Sequence, residues 1–308
     1  LLLAPEIVLF LAGLVIFLLD LVRRNAARTN LFQGIALVGL IVALVASLAL
    51  LGQNTTTLTM MSVDSFAAFF KVLVIIAMIL VVAGAGDYMK ARSRHQGEFY
   101  AMLMAATLAM AVAVSANNLL LIYLGMEFLS ITSYVLVGFI RDDKRSSEAA
   151  IKYFLYGAVA SGVMLYGLSL LYGATGSVYL TDIAAAFKNT KGLTASLGLP
   201  AAILVIAGFG FKASLAPFHQ WAPDAYDGAP TPVTAFLSTA SKATGFALLI
   251  RALLVALPAA QVQWTAILAG IAMATMTLGN LAALRQTNVK RLLAYSSIAQ
   301  AGYILIGL

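Results

Sequence analysis

The chain is a succession of long apolar runs separated by short polar stretches. Nearly every run reaches the roughly 20 residues that an α-helix needs to cross the hydrocarbon core of a bilayer. Ten such segments can be read, at about 1–22, 31–52, 63–86, 99–116, 119–140, 149–173, 200–222, 230–257, 263–284 and 291–308. Backbone amides and carbonyls find no partner in lipid, so runs of this length are predicted as helices rather than open sheet. The longest connection, 174–199, holds a short amphipathic stretch from Asp182 to Lys188. The pattern predicts an all-α polytopic membrane protein of about ten transmembrane helices.

The connections are asymmetric in charge. Arg23, Arg24, Arg28, Lys90, Arg92, Arg94, Arg141, Lys144, Arg145, Arg285, Lys290 and Arg291 fall in alternate loops, and the intervening loops hold only Lys188 and Lys191. Twelve positive residues against two predict the N-terminus outside and the basic loops inside. One inner loop departs from the rule, carrying Asp224 and Asp227 with no base. Composition agrees with the class: of 308 residues, 62% are hydrophobic and 10% charged, against about 25% charged in soluble domains. The net charge of +7 follows from topology and gives no argument for nucleic acid. No Walker or dinucleotide fingerprint is present. The absence of cysteine excludes thiolate-bound iron–sulfur clusters and thiol redox chemistry in this chain. The first apolar run has no cleavage site after it, so no signal peptide is recognised. The start at Leu1 and the stop at Leu308 inside an apolar run are expected of a piece of a longer protein.

Three ionisable residues, Glu127, Lys212 and Lys242, fall near the middle of the fifth, seventh and eighth segments. A charge at the bilayer centre costs roughly 3 kcal/mol on insertion scales, so its default reading is an ion or proton pathway. Desolvation disfavours a buried ammonium and a nearby carboxylate restores it, so a lysine whose carboxylate partner moves becomes a switch. The alternative is a buried ion pair that fixes helix packing. The run Gly208-Phe209-Gly210-Phe211-Lys212 leads into Pro217, which predicts a break or kink after Lys212, either an ordinary proline kink or an unwound helix at the midplane, a recurring ion-site device. His219 follows the break, either as a proton relay or as a donor to a carbonyl freed by Pro223. Lys152 lies four residues after Glu148, either a snorkelling surface pair or the inner entrance to a lysine chain. Lys71 and Arg251 are expected to snorkel to headgroups, and Glu6, Asp20, Asp64 and Asp87 to be interfacial. Ser130, Thr132, Ser133, Ser238, Thr239 and Ser241 lie near Glu127 and Lys242, available to bond across helices or to hold water.

These stretches resemble a known family. Gly125-Met126-Glu127-Phe128-Leu129-Ser130 and Glu148-Ala149-Ala150-Ile151-Lys152-Tyr153-Phe154 look like the fifth and sixth helices of antiporter-like subunits. Gly208 to Lys212 with Ala216 to Asp224 is similar to their broken seventh helix, and Gly228 to Val233 with Ala240-Ser241-Lys242 to the eighth. Lys290 to Ile298 resembles the start of the tenth. The family comprises the proton-pumping membrane-arm subunits of respiratory complex I and their relatives in multi-subunit sodium/proton antiporters. Thr239-Ala240-Ser241 before Lys242 resembles the paralogue nearest the quinone-binding arm, whose counterpart occurs in the photosynthetic complex of cyanobacteria and chloroplasts.

The resemblance implies about fourteen helices built as inverted five-helix repeats. It divides the chain into an N-terminal three-helix segment (1–98), a first repeat (99–257) and an incomplete second repeat (263–308). It implies that Glu127 modulates Lys212, the central proton carrier, that Lys242 links laterally, and that Lys152 matches a sixth-helix lysine. It implies a bacterial plasma membrane or thylakoid location and paralogous membrane-arm subunits as partners. FMN, iron–sulfur clusters and quinone are expected in partner subunits, and no cofactor or metal in this chain.

Overall fold

The computed structural model describes residues 2–22, 29–188 and 193–308. Arg23, Arg24, Arg28 and Lys191, part of the charge asymmetry above, lie outside the described residues. Among the described residues, nine helical stretches of 18 residues or more are apolar enough to cross a membrane. A further helix, Val289–Leu305, has 17 residues. Together they match the ten predicted segments, with ends displaced by a few positions except in the seventh, read as 200–222, whose helix stops at Ala213.

The chain forms two compact units. One comprises Leu1–Ala116, Leu124–Ile151 and Gly228–Thr244. Here α1 (Ala4–Val22), α2 (Thr29–Leu48), α3 (Ser65–Lys90) and α4 (Gln96–Val114) pack on one another. Small residues permit the close approach: a Cβ on Gly39 would stand 2.6 Å from that of Ala12. A hairpin of β1 (Thr55–Thr57) and β2 (Met61–Val63) joins α2 to α3. Asp64, expected at a span end, caps α3 by accepting from the Ala67 amide at 2.7 Å. In this unit α5 (Leu119–Val137) lies so close to α4 that a Cβ on Gly125 would meet the Ala113 backbone at 3.0 Å.

Two expectations are overturned here. Lys71 does not snorkel: it is buried together with Glu6, and Lys71 Nζ meets Glu6 Oε1 at 2.6 Å between α3 and α1. The reason is direction: Lys71 lies on the face of α3 turned to a neighbour, and an opposite charge on that neighbour offsets the desolvation of both. Arg251 is also buried rather than reaching headgroups.

The other unit comprises Asn117–Tyr123, Lys152–Asp227 and Gly245–Leu308. Its part of α6 (Lys144–Thr175) packs on α8 (Leu193–Ala213), with Gly208 directly against the Met164 side chain. The predicted amphipathic stretch is α7 (Leu180–Lys188), which buries Leu180, Ile183 and Phe187. After the short α9 (Trp221–Gly228), and after α10 (Thr231–Phe236) and α11 (Lys242–Arg251), come α12 (Gln261–Leu284) and α13 (Val289–Leu305). The last two form a close hairpin, in which a Cβ on Gly279 would stand 2.6 Å from the Ala299 amide nitrogen.

Candidate functional site at the broken helix α8

The break predicted from Pro217 falls at Ala213, one residue after Lys212. Ser214 takes a left-handed conformation with φ of 59°. Its N–H donates to the Phe211 carbonyl at 3.0 Å, and the Leu215 N–H reaches back to Gly210 at 2.7 Å. This pair of bonds satisfies carbonyls that a helix end leaves orphaned. Beyond the break, the Ala216 N–H donates to Thr275 Oγ1 of α12 at 2.9 Å. The Trp221 indole N–H donates to the Phe211 carbonyl at 2.8 Å. Interrupted backbone is thus held by side chains, as a buried helix break requires.

Lys212 is the last-turn lysine of α8 and is fully buried. A helix C-terminus carries partial negative charge, which favours a cation there. Lys212 Nζ lies 3.3 Å from the Tyr153 hydroxyl of α6. The Tyr153 ring stacks on Trp221, with centroids 4.3 Å apart and planes at 15°, and it faces Phe211 at 5.9 Å. His219 is buried in the connection between α8 and α9, and its carbonyl accepts from the Ala222 amide at 3.0 Å. Pro223 sits in the first turn of α9, where no helical N–H bond is missed.

One residue before Tyr153, Lys152 enters a charged cluster. Lys152 Nζ meets Asp224 Oδ2 at 3.1 Å, and Arg291 Nη1 of α13 meets Asp224 Oδ1 at 2.7 Å. Burial raises the Asp224 carboxyl, but the bonds from Lys152 and Arg291 outweigh it and hold the group below the usual carboxylate value. Asp227 accepts from Asn288 Nδ2 at 2.9 Å, and its carbonyl accepts from Lys290 Nζ at 3.3 Å. Of the two acids that broke the loop-charge rule, Asp224 is therefore a counterion to bases from other elements, and Asp227 is bonded to residues at the start of α13. A cleft of about 580 Å³ opens between α6 and the break, lined by Lys152, Val159, Phe211, Pro217, Phe218 and Gln220 among others.

Glu127 and Lys242 belong to the other compact unit. Glu127 is half-buried on α5. Lys242 is buried and follows a π-helical turn, Leu237–Ser241, a local widening common at functional positions. Several of the hydroxyls near Glu127 and Lys242 bond back within their own helix: Thr132 to the Phe128 carbonyl (2.7 Å), Ser133 to Leu129 (2.6 Å) and Thr239 to Ala235 (2.7 Å).

The residues that sequence reasoning passed over are Tyr153, Trp221 and Arg291. The signal was present in part. Tyr and Trp inside apolar runs have a polar tip that seeks a partner, and acids in a loop that holds no base, on the side where the other loops are basic, call for bases from elsewhere. Nothing in the sequence said which bases.

The sequence profile of the family described as NADH:quinone oxidoreductase/Mrp antiporter, TM, matches residues 116–308, more than half of the chain. A protein of Heliobacterium modesticaldum named NADH-quinone oxidoreductase subunit N is 46% identical over 309 positions, covering 100% of this chain and 64% of the relative. A protein of the same name from Moorella thermoacetica is 43% identical, with 100% and 64% covered. Among solved structures, a chain of respiratory complex I from Thermus thermophilus with bound aureothin superposes with a TM-score of 0.81 at 36% identity, covering 98% of this chain and 63% of that one. A chain of the Mrp complex from Dietzia sp. DQ12-45-1b gives 0.83 at 23% identity, covering 99% and 58%, a likeness of fold alone. This chain thus spans less than two thirds of the length of these relatives.

Proposed function

Since the chain belongs to the NADH:quinone oxidoreductase/Mrp antiporter transmembrane family, we propose that it is a proton-translocating membrane-arm subunit, of the subunit N type, in a NADH:quinone oxidoreductase. Electrons pass through partner subunits that carry FMN, iron–sulfur clusters and quinone. In this chain Glu127, Lys212 and Lys242 form the proton relay, with Lys152 and His219 on the route to Lys212. A change in the carboxylate field of Glu127 alters the stability of the Lys212 ammonium; its proton then passes towards Lys242 and is replaced from the side of Lys152. The N-terminus lies outside, and residues 99–257 form the first five-helix repeat.

The observation that carries this reading is Lys212, fully buried at the end of an interrupted apolar helix. An ionisable group in that position is costly unless used, and a helix break brings dipoles to it. The names of relatives at 43–46% identity support the redox-linked form. A multi-subunit cation/proton antiporter is the reading it displaces: a sodium site calls for clustered acids near mid-span, where the sequence offers Glu127 alone.

The test is Lys212→Met in the intact complex, reconstituted in proteoliposomes, with quinone reduction by NADH and proton uptake followed together. Loss of pumping in a complex that assembles is expected. Unchanged pumping and turnover would reduce Lys212 to a packing residue and sink the proposal.

A further inference from the structure

Tyr153 and Lys212 are both fully buried, and the phenol oxygen is 3.3 Å from the amine. The hydroxyl is held in place from the far side. The Tyr153 ring stacks on Trp221 at 4.3 Å, Trp221 donates its indole N–H to the Phe211 carbonyl at 2.8 Å, and Phe211 immediately precedes Lys212. The chain of contacts therefore closes on itself, from Lys212 through Tyr153 and Trp221 to Phe211 and back. The position of the hydroxyl relative to the lysine backbone is set by ring stacking and one hydrogen bond, whatever the charge on the amine.

We propose that the Tyr153 hydroxyl is a positioning group for Lys212 that serves the amine in both of its protonation states. This deepens the relay reading above and rests on it. A phenol is both donor and acceptor. Facing an ammonium, its oxygen accepts an N–H; facing a neutral amine, its O–H donates to the nitrogen lone pair. A carboxylate at the same distance would favour the charged form alone, and an apolar group there would offer neither a donor nor an acceptor. At this contact, gain or loss of the proton is met by rotation of the hydroxyl. Its neighbour on α6, Lys152, is fixed to Asp224 at 3.1 Å, and Asp224 is fixed to Arg291 at 2.7 Å. The helix that carries the hydroxyl is thereby anchored at its charged end.

Tyr153→Phe in the intact, reconstituted complex keeps the ring and its stack on Trp221 and removes only the oxygen. The expected result is normal assembly, proton pumping slowed by roughly tenfold, as loss of a hydrogen bond to a charged group implies, and a displaced pH profile of pumping. Added to Lys212→Met, the same change should do nothing further. Pumping within about twofold of the parent, with an unchanged pH profile, would overturn the proposal, as would a loss confined to Tyr153→Leu, which removes the ring. If Tyr153→Phe fails to assemble, 3,5-difluorotyrosine at position 153 keeps the ring and its hydroxyl while making that hydroxyl a stronger donor and weaker acceptor. An unmoved pH profile in that protein overturns the proposal equally. Lys212→Met separates the two levels: normal pumping there defeats the relay itself, whereas lost pumping with a silent Tyr153→Phe defeats only the role of the hydroxyl.

Discussion

Thr275→Val probes the helix break without touching a titratable group. Thr275 is fully buried on α12; its hydroxyl oxygen accepts from the Ala216 N–H at 2.9 Å and donates to the Ile271 carbonyl at 2.6 Å. Valine has nearly the same shape, so no cavity opens. The Ile271 carbonyl lies inside α12 and keeps its place in the helix ladder. The Ala216 amide, on a buried residue, is left without the hydroxyl. An unsatisfied buried donor costs about 1–3 kcal/mol, a factor of about 5 to 150 in the equilibrium for local opening. Hydrogen–deuterium exchange at the Ala216 amide reads this directly, since a segment exchanges through its own opening when that lies below global unfolding. Exchange in Thr275→Val should be faster by that factor in peptides covering 214–220, and unchanged in peptides covering α13. Thr275→Ser, which keeps the oxygen, should exchange within about threefold of the parent. Equal protection of Ala216 in the valine variant and the parent would refute the reasoning, because it would mean that the bond to Thr275 does not hold the segment.

The buried pair of Glu6 and Lys71, 2.6 Å apart, predicts a strong asymmetry between single and double substitution. Lys71→Met should cost about 3–5 kcal/mol, because the Glu6 carboxylate is left buried and uncompensated, whereas Glu6→Gln with Lys71→Met should recover most of that loss; thermal unfolding of the purified complex in detergent measures both, and equal effects would count against the pairing. Asp224, held below the usual carboxylate value by Lys152 and Arg291, contributes stability that is present above its unfolded value and lost as pH falls through the depressed folded one. Arg291→Gln should raise the folded value and so move the acid loss of stability to higher pH. With these side chains 30–43% exposed, screening limits the neutral-pH cost to about 1 kcal/mol or less. A gap in melting temperature between parent and variant that stays constant as pH falls from neutral through the depressed Asp224 value would contradict it.

The fold class was legible because the bilayer imposes a length and a composition on every span, so ten runs were visible as runs. The break in α8 was legible from Pro217, which lacks an amide hydrogen and crowds the carbonyl four residues back, at Ala213 where the helix stops; Pro200 is carried inside the same helix. The exact end was not, because Ser214 supplies the left-handed turn at φ 59°, and serine carries no strong sequence signal for that conformation. Lys212 stood out as a charge at mid-span, but Tyr153 did not, since a tyrosine in an apolar run is unremarkable until its hydroxyl is seen to meet a buried amine at 3.3 Å.

The pairing of charges separates most clearly what each level decides. Sequence alone determined that Glu6, Lys71, Lys152, Asp224 and Arg291 exist at given depths along their helices, because depth is set by the rise of 1.5 Å per residue. It could not determine the azimuth of each side chain against its neighbours, and azimuth divides a snorkelling lysine from a buried one. Lys71 was expected at the headgroups and is instead paired at 2.6 Å, because α3 turns that face to α1. Asp224 appeared as an exception to a charge rule and is instead held by Lys152 and by Arg291, 67 positions away in the chain. Hydrophobic length is a local property and was written in the sequence; the partner of a charge is a non-local one, and packing alone chose it.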